Sequence, residues 1–352
     1  MPAPVVVHPS QEWDDSDGPW ASFALQIGTP PQQVQVHISI AEKETWVVGA
    51  GGCAKSLPDP IPDCNKSRGR LFQPQDSSTW QLAASVDNPE GFFTLSEQLT
   101  RDLGTNADGE YGYESVGLSF NGEPGPGVKK TVVAAFNTTQ FAIGQFGVNP
   151  NNISFTENNY TKSFLSRLHE EGKVPSRSFG FTAGSSARKT RNKNVLGSFI
   201  FGGYDASLKG DNDMSFDFLV DENKELTVAV QAITKDGSTD LLPTPILAAL
   251  DSSQSNIWLP REACRAFERA FGLTWDSTAQ QYLLNSTLHN RLLEENANVT
   301  FRLANNGDAG GENIDIVLPY SAFDLTRRNS TSAPQPYFPL KIAENASQAS
   351  FT

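Results

Sequence analysis

The chain has 352 residues, beyond the roughly 250–300 at which a single hydrophobic core stops growing, so two lobes are expected. Hydrophobic residues make up 38% and charged residues 19%, a globular balance that excludes general disorder. The 40 acidic against 27 basic residues leave a formal net charge of −13, which argues against nucleic acid and anionic membrane surfaces as partners.

At the start, Met1-Pro-Ala-Pro-Val5 has none of the pattern of a signal peptide, and no apolar run reaches the ~18 residues of a membrane span. Residues 23–27 and 34–40 read as strands on either side of Gly28-Thr-Pro-Pro31. Cys53 and Cys64 flank the proline-rich Leu57-Pro-Asp-Pro-Ile-Pro-Asp63. That spacing suits a short-loop disulfide in an oxidising compartment, with two unpaired thiols as the alternative. Strands follow at 116–120 and 131–135, then a helix over 163–171 stopped by Gly172.

Residues 184–193, Gly-Ser-Ser-Ala-Arg-Lys-Thr-Arg-Asn-Lys, are polar and basic without hydrophobic period. They read as a connector between lobes, a dibasic processing site at Arg188-Lys189, or a solvated surface loop, which is what most charge runs are. Strands resume at 198–201 and 226–230, a helix spans 261–271 up to Gly272, and a further strand covers 314–317. Cys264, in that helix, reads as a lone buried or half-buried thiol. The pattern is mainly β with isolated helices.

Asn65, Asn137, Asn152, Asn159, Asn285, Asn298, Asn329 and Asn345 each open an Asn-X-Ser/Thr sequon. One such triplet arises by chance; eight, spread through both halves, point to the secretory pathway and to an extracellular or cell-surface protein in a mature or trimmed form. There is no Gly-x-Ser-x-Gly elbow, no P-loop, and no His-x-x-x-His or paired Cys-x-x-Cys spacing, so neither metal nor cofactor is expected. His37 alternates with Ser39 on one strand face, where a structural histidine is the ordinary reading of the pair.

Ile27-Gly-Thr-Pro-Pro-Gln-Gln33, Trp46-Val-Val48, the Cys53/Cys64 loop and Leu71-Phe-Gln-Pro-Gln-Asp-Ser-Ser-Thr-Trp80 together resemble the amino-terminal lobe of the pepsin-like aspartic proteases. The likeness extends through Gly109-Glu-Tyr-Gly-Tyr-Glu-Ser-Val116, Phe141-Ala-Ile-Gly-Gln-Phe-Gly147, the helix at 163–171 and Gly197-Ser-Phe-Ile-Phe-Gly-Gly-Tyr-Asp205. It continues to Ile246-Leu-Ala-Ala-Leu-Asp-Ser-Ser-Gln-Ser-Asn-Ile-Trp-Leu-Pro260, which is similar to the family's second Asp-Thr-Gly loop. The resemblance implies a divergent, fungal-type member with a mainly β, bilobal fold and a cleft between two β lobes. Its lobes are expected at residues 1–183 and 195–352, joined by a connector at 184–194.

In that family the first strand ends in Asp-Thr-Gly-Ser, with a tryptophan seven residues after the aspartate. Here Ser39-Ile-Ala-Glu42 stands in that place, seven residues before Trp46, while Asp251 keeps the second aspartate position, followed by Ser252 and Ser253. Ala41 and Ser253 replace the glycines that allow a tight turn near the water site. The flap tyrosine has no counterpart in Leu99-Thr-Arg-Asp-Leu-Gly-Thr-Asn-Ala-Asp108, where Asp102 and Leu103 come nearest its place. The closing strands of the family's second lobe are expected after Tyr337-Phe-Pro-Leu-Lys-Ile342, so the lobe as given reads as lacking its last strands. A membrane anchor beyond residue 352 is compatible with the cell-surface reading.

Aspartic proteolysis uses two carboxylates about 3 Å apart that share a proton, one activating water and the other polarising the scissile carbonyl. A serine at position 39 breaks that pair. The expected function is a monomeric pseudoprotease that binds a peptide or protein ligand without cutting it. One rival is an active endopeptidase pairing Asp251 with Glu42 or Asp102. The other is an inhibitor, or a binder of carbohydrate or cell-wall enzymes, on the same fold.

Overall fold

A computed structural model of the chain describes residues 2–13, 20–54, 61, 63–84, 88–95, 107–119, 125–156, 159–190, 193–217, 226–307, 311–327, 334–345 and 349–351. The chain divides into two compact units, Met1–Lys209 and Gly210–Thr352.

The first unit begins with β1 (Val5–Val7), β2 (Pro9–Trp13), β3 (Ala21–Ile27), β4 (Gln32–Ser39), β5 (Thr45–Val48) and the short helix α1 (Cys64–Ser67). β6 (Gln81–Leu82), β7 (Phe92–Thr94), β8 (Asp108–Gly117), β9 (Gly127–Phe136) and β10 (Gly144–Gly147) follow. It ends with β11 (Ile153–Thr156), β12 (Asn159–Thr161), α2 (Phe164–Glu170), β13 (Phe179–Thr182), β14 (Ser185–Thr190), β15 (Lys193–Val195) and β16 (Ser198–Phe201). Its main sheet runs β2-β3-β4-β10-β5-β9-β8-β6, with β7 added on β8. β3 also pairs back onto β8 through Ile27 and Val116, so the sheet curls onto itself.

Both faces of this sheet are covered, and the period-two geometry of its strands sorts residues between two cores. Val132, Ala134 and Phe136 of β9 join Trp46, Tyr111 and Phe141 on one face. The intervening Val133 and Ala135 face the other, with Phe23, Ile38, Phe146 and the α2 residues Phe164, Leu165 and Leu168. A strand buried on both sides reads as the continuous apolar run Val132-Val-Ala-Ala-Phe136. α2 starts at Ser163, whose hydroxyl accepts the Ser166 N–H. It stops at Gly172, which takes the left-handed φ of +67° that favours glycine.

Within the segment at 184–194, read from the sequence as the connector between lobes, residues 185–190 and 193 onward form the β14–β15 ribbon of the first unit. β16 pairs with both β1 and β13, which ties residues 198–201 back into the first unit, and the division falls between Lys209 and Gly210.

The second unit contains β17 (Thr227–Lys235), β18 (Thr239–Asp240), β19 (Ile246–Leu250), β20 (Ile257–Pro260), α3 (Arg261–Phe271), β21 (Tyr282–Leu283) and α4 (Ser286–Glu295). After them come β22 (Asn298–Ala304), β23 (Asn313–Pro319), β24 (Leu325–Arg327), β25 (Gln335–Phe338), β26 (Leu340–Ala343) and β27 (Ser350–Phe351). The main sheet is ordered β23-β22-β17-β19-β27-β20-β26, with β18 on β17, beside a three-stranded β21-β25-β24 sheet. One face of α3 buries Ala263, Cys264, Phe267 and Phe271 in the unit's core, and Gly272 ends the helix at φ +75°. α4 went unrecognised in the sequence, where Asn285 was taken only as a sequon; its side chain accepts the Leu288 N–H at 2.9 Å and caps the helix.

A buried cation organises the turn region of the first unit. Arg68 is 2% exposed, and its guanidinium donates to four carbonyl oxygens, those of Gly52 (2.7 Å), Ala142 (3.2 Å), Thr138 (2.6 Å) and Phe141 (2.7 Å). Burial pushes its pKa down to about 10. The planar fork joins the chain next to the Cys53–Cys64 disulfide (Cα–Cα 5.7 Å) to the turn preceding β10. Cys264 remains a free, buried thiol. Replacing Arg68 by Met leaves four carbonyls without their donor, so the Arg68→Met variant is expected to lose about 3 kcal/mol or more of stability in denaturant melts. Arg68→Lys, with a point charge in place of the fork, should recover only part of the loss.

Candidate functional site

Two strand ends, one in each unit, carry the residues singled out in the sequence. In the first unit β10 is inserted between β4 and β5, parallel to β4 and antiparallel to β5, and β5 in turn runs parallel to β9. In the second, β27 lies between β19 and β20, parallel to the former and antiparallel to the latter, and β20 runs parallel to β26. The two frames have the same topology. Trp46 pairs with Gln145 of the inserted strand and Ala134 of β9, as Trp258 pairs with Ser350 and Lys341. Seven residues before each tryptophan stand Ser39 and Asp251, so the serine occupies the position topologically equivalent to the aspartate.

Ser39 is fully buried at the end of β4, opposite Gly147. Its hydroxyl accepts the Glu42 N–H at 3.0 Å, and its carbonyl accepts the Val148 N–H at 3.0 Å. Asn149 holds the rest of the loop, donating from its backbone to Glu42 O (3.1 Å) and from its side chain to Ala41 O (3.3 Å). A Cβ at Gly147 would fall inside the van der Waals shell of the Glu44 carbonyl oxygen, so only glycine lets the loop close this tightly.

Asp251 is half-buried, and its backbone N–H donates to Phe351 O at 2.7 Å. Oδ1 accepts both the Ser253 N–H (2.8 Å) and the Ser253 hydroxyl (2.5 Å), and Oδ2 accepts from Gln254 Nε2 (3.2 Å). Gln254 in turn takes the Trp258 indole N–H on its Oε1 at 2.7 Å, a link from tryptophan to carboxylate that the sequence reading missed. The serine in the place of a glycine therefore adds a donor to the carboxylate. In the first unit the buried Trp46 indole N–H has no partner among the described residues.

A buried carboxylate, Glu114 of β8, also went unrecognised; an acidic residue two positions from the core residue Val116 was the signal. It accepts from the Ser77 hydroxyl (2.5 Å), the Thr79 hydroxyl and the Ser115 N–H (2.6 Å), while Ser77 Oγ accepts the Thr29 N–H (2.9 Å). This network locks the Gly28-Thr-Pro turn to the Ser77-Ser-Thr79 segment beneath β8.

Of the other predicted site residues, Glu42 and Ser252 are half-buried in the two loops, and Asp102 lies outside the described residues, as does Asn329. Asn65, Asn137, Asn152, Asn285, Asn298 and Asn345 are exposed, and Asn159 stands at the start of β12. Among the described residues no group of His, Cys, Asp and Glu is arranged to hold a metal ion.

A family model described as eukaryotic aspartyl protease matches residues 22–342. Secreted aspartic protease 7 of Candida albicans is 22% identical over 200 residues, 57% of this chain and 30% of that protein. Candidapepsin of Candida tropicalis is 23% identical over 274 residues, 77% of this chain and 62% of its own length. The chain covers less than two thirds of either relative.

The loop after Ser39 carries its own electrostatic strain. Burial pushes the Glu44 carboxyl above its ordinary value, against the opposing pull of backbone hydrogen bonds and Lys43. Burial first, then Glu44, Glu42 and Asp108, hold the Tyr111 hydroxyl well above its usual range. A carboxyl with a raised folded-state pKa contributes stability that is complete below its unfolded value of 4.5 and fades as pH rises through the folded one. Thermal melts at about pH 4 and pH 7 should therefore show Glu44→Gln gaining on the wild type as pH rises; an equal difference at both pH values would exclude this role.

Proposed function

The chain belongs to the eukaryotic aspartyl protease family, and on that premise we propose that it is a non-cleaving member that binds a peptide or protein ligand in the manner of a protease without the chemistry. The carrying observation is Ser39, buried at the strand end equivalent to that of Asp251, with its hydroxyl engaged by the Glu42 N–H. In the family's proteases each of these two strand ends supplies one carboxylate of the catalytic pair, and here the first supplies a hydroxyl. A serine hydroxyl can orient a water there but cannot take its proton near neutral pH, so no general base completes the pair. Asp251 supplies an acceptor already serving Ser253 and Gln254. Glu42, the nearest substitute in the chain, belongs to the carboxylates acting on Tyr111.

Extracellular or cell-surface placement is part of the same proposal. One similar protein, secreted aspartic protease 7 of Candida albicans, is secreted by name, the Cys53–Cys64 bond suits an oxidising compartment, and six sequon asparagines are exposed. Casein digestion between about pH 3 and pH 7, with and without a pepstatin-type inhibitor, should show no hydrolysis above background. Ser39→Asp alone should restore little, because Ala41 and Ser253 leave water and substrate poorly placed, and about 1 Å of misplacement can cost 100-fold. Inhibitor-sensitive hydrolysis by the wild type that disappears in Asp251→Ala would overturn the proposal, and its loss in Glu42→Gln would identify the second carboxylate.

A further inference from the structure

The first unit's half-exposed disulfide sits between two exposed sequons. Asn65 follows Cys64 directly, at the surface of α1. On the other side, the Asn137 carboxamide packs against the turn that leads into Cys53: a Cβ at Gly51 would lie 2.7 Å from Asn137 Cγ, and one at Gly49 would lie 2.8 Å from its Oδ1. Arg68 closes the knot from beneath, joining Gly52, next to Cys53, to Thr138, next to Asn137. Two modification points separated by 72 positions in sequence thus converge on one small surface that also carries a reducible bond.

We propose that Asn65 and Asn137 carry a pair of N-linked glycans that cover the Cys53–Cys64 disulfide and shield it from protein reductants. The inference rests on the secretory placement proposed above. In forming each glycan, the asparagine Nδ2 makes the new C–N bond to the sugar and the glycosyl–phosphate bond of a lipid-linked oligosaccharide diphosphate breaks. The diphosphate leaves with the bonding electrons and the amide loses a proton. Thiol–disulfide exchange requires a thiolate to approach one sulfur along the S–S axis, so its rate depends on access. Two bulky hydrated chains beside the bond obstruct a folded reductase far more than a small thiol. In the second unit the free thiol of Cys264 needs no such cover, because the core buries it completely.

The test uses the full chain made in a glycosylating secretory host, with sites mapped by peptide-N-glycosidase in heavy-oxygen water, which hydrolyses the side-chain amide and leaves a labelled aspartate at each occupied site. Glycan is expected at both Asn65 and Asn137. Thioredoxin should reduce the bond several-fold faster in Asn65→Gln/Asn137→Gln, while dithiothreitol reduces both proteins at similar rates. Asn298→Gln/Asn345→Gln, at exposed sequons of the second unit, should reduce like the wild type. Glycan elsewhere but absent from the pair would overturn this inference alone, as would thioredoxin rates unchanged in the double variant. Glycan absent from all six exposed sequons would overturn the secretory placement together with it.

Discussion

Each unit is built around one threaded strand. β10 enters between β4 and β5 from the direction opposite to β5, and its backbone bonds fix where β4 ends and how the loop at 39–44 returns. The threading demands glycine: side chains at Gly144 and Gly147 would collide with the carbonyl oxygens of Trp46 and Glu44. β27 performs the same insertion between β19 and β20 and sets the position of Asp251 through the Phe351 carbonyl. Because backbone hydrogen bonding and chain crossing specify this geometry, it is indifferent to whether the residue at the strand end is acidic.

That independence lets the family fold accommodate a serine at the end of β4. The frame needs a residue at position 39 that fits a fully buried place and accepts the Glu42 N–H, and serine does both with a small neutral side chain. A carboxylate there would have to be desolvated, a cost tolerated only where it is paired and hydrogen-bonded. At the equivalent place in the second unit such support exists, through two bonds from Ser253 and one from Gln254, itself tethered by Trp258. Architecture and side-chain chemistry therefore separate along identifiable bonds: the inserted strands and their glycines hold the frames, and under the proposed function the side chains at 39 and 251 set what the frames can do.

Much of this was legible in the sequence because the informative signals were local. Alternation placed β3, β4, β9, β16, β17 and β23, glycine stops placed α2 and α3, and the seven-residue interval from Ser39 to Trp46 fixed the register of the first frame. The same interval from Asp251 to Trp258 passed unnoticed, although the inserted strands make the two tryptophans equivalent. What failed to show depended on contacts distant along the chain. Arg68 looked like one charge among many until its four carbonyl partners, up to 74 positions away, defined a cavity for it. Glu114 reaches its hydroxyl partners from 35 and 37 positions away. α4 was hidden by its polar surface, with Leu292 as its buried residue, and the ribbon at 185–195 by a composition suited equally to a connector.

Under the proposed function, position 39 contributes no carboxylate to a shared acid–base site. Transition-state mimics read this most directly, because the hydroxyl of a statine-type inhibitor is held by both carboxylates of an aspartic protease and gains most of its affinity there. Titration calorimetry of the wild type with such an inhibitor at about pH 4.5 should show no tight, saturable binding, whereas nanomolar binding that Asp251→Ala abolishes would contradict the account.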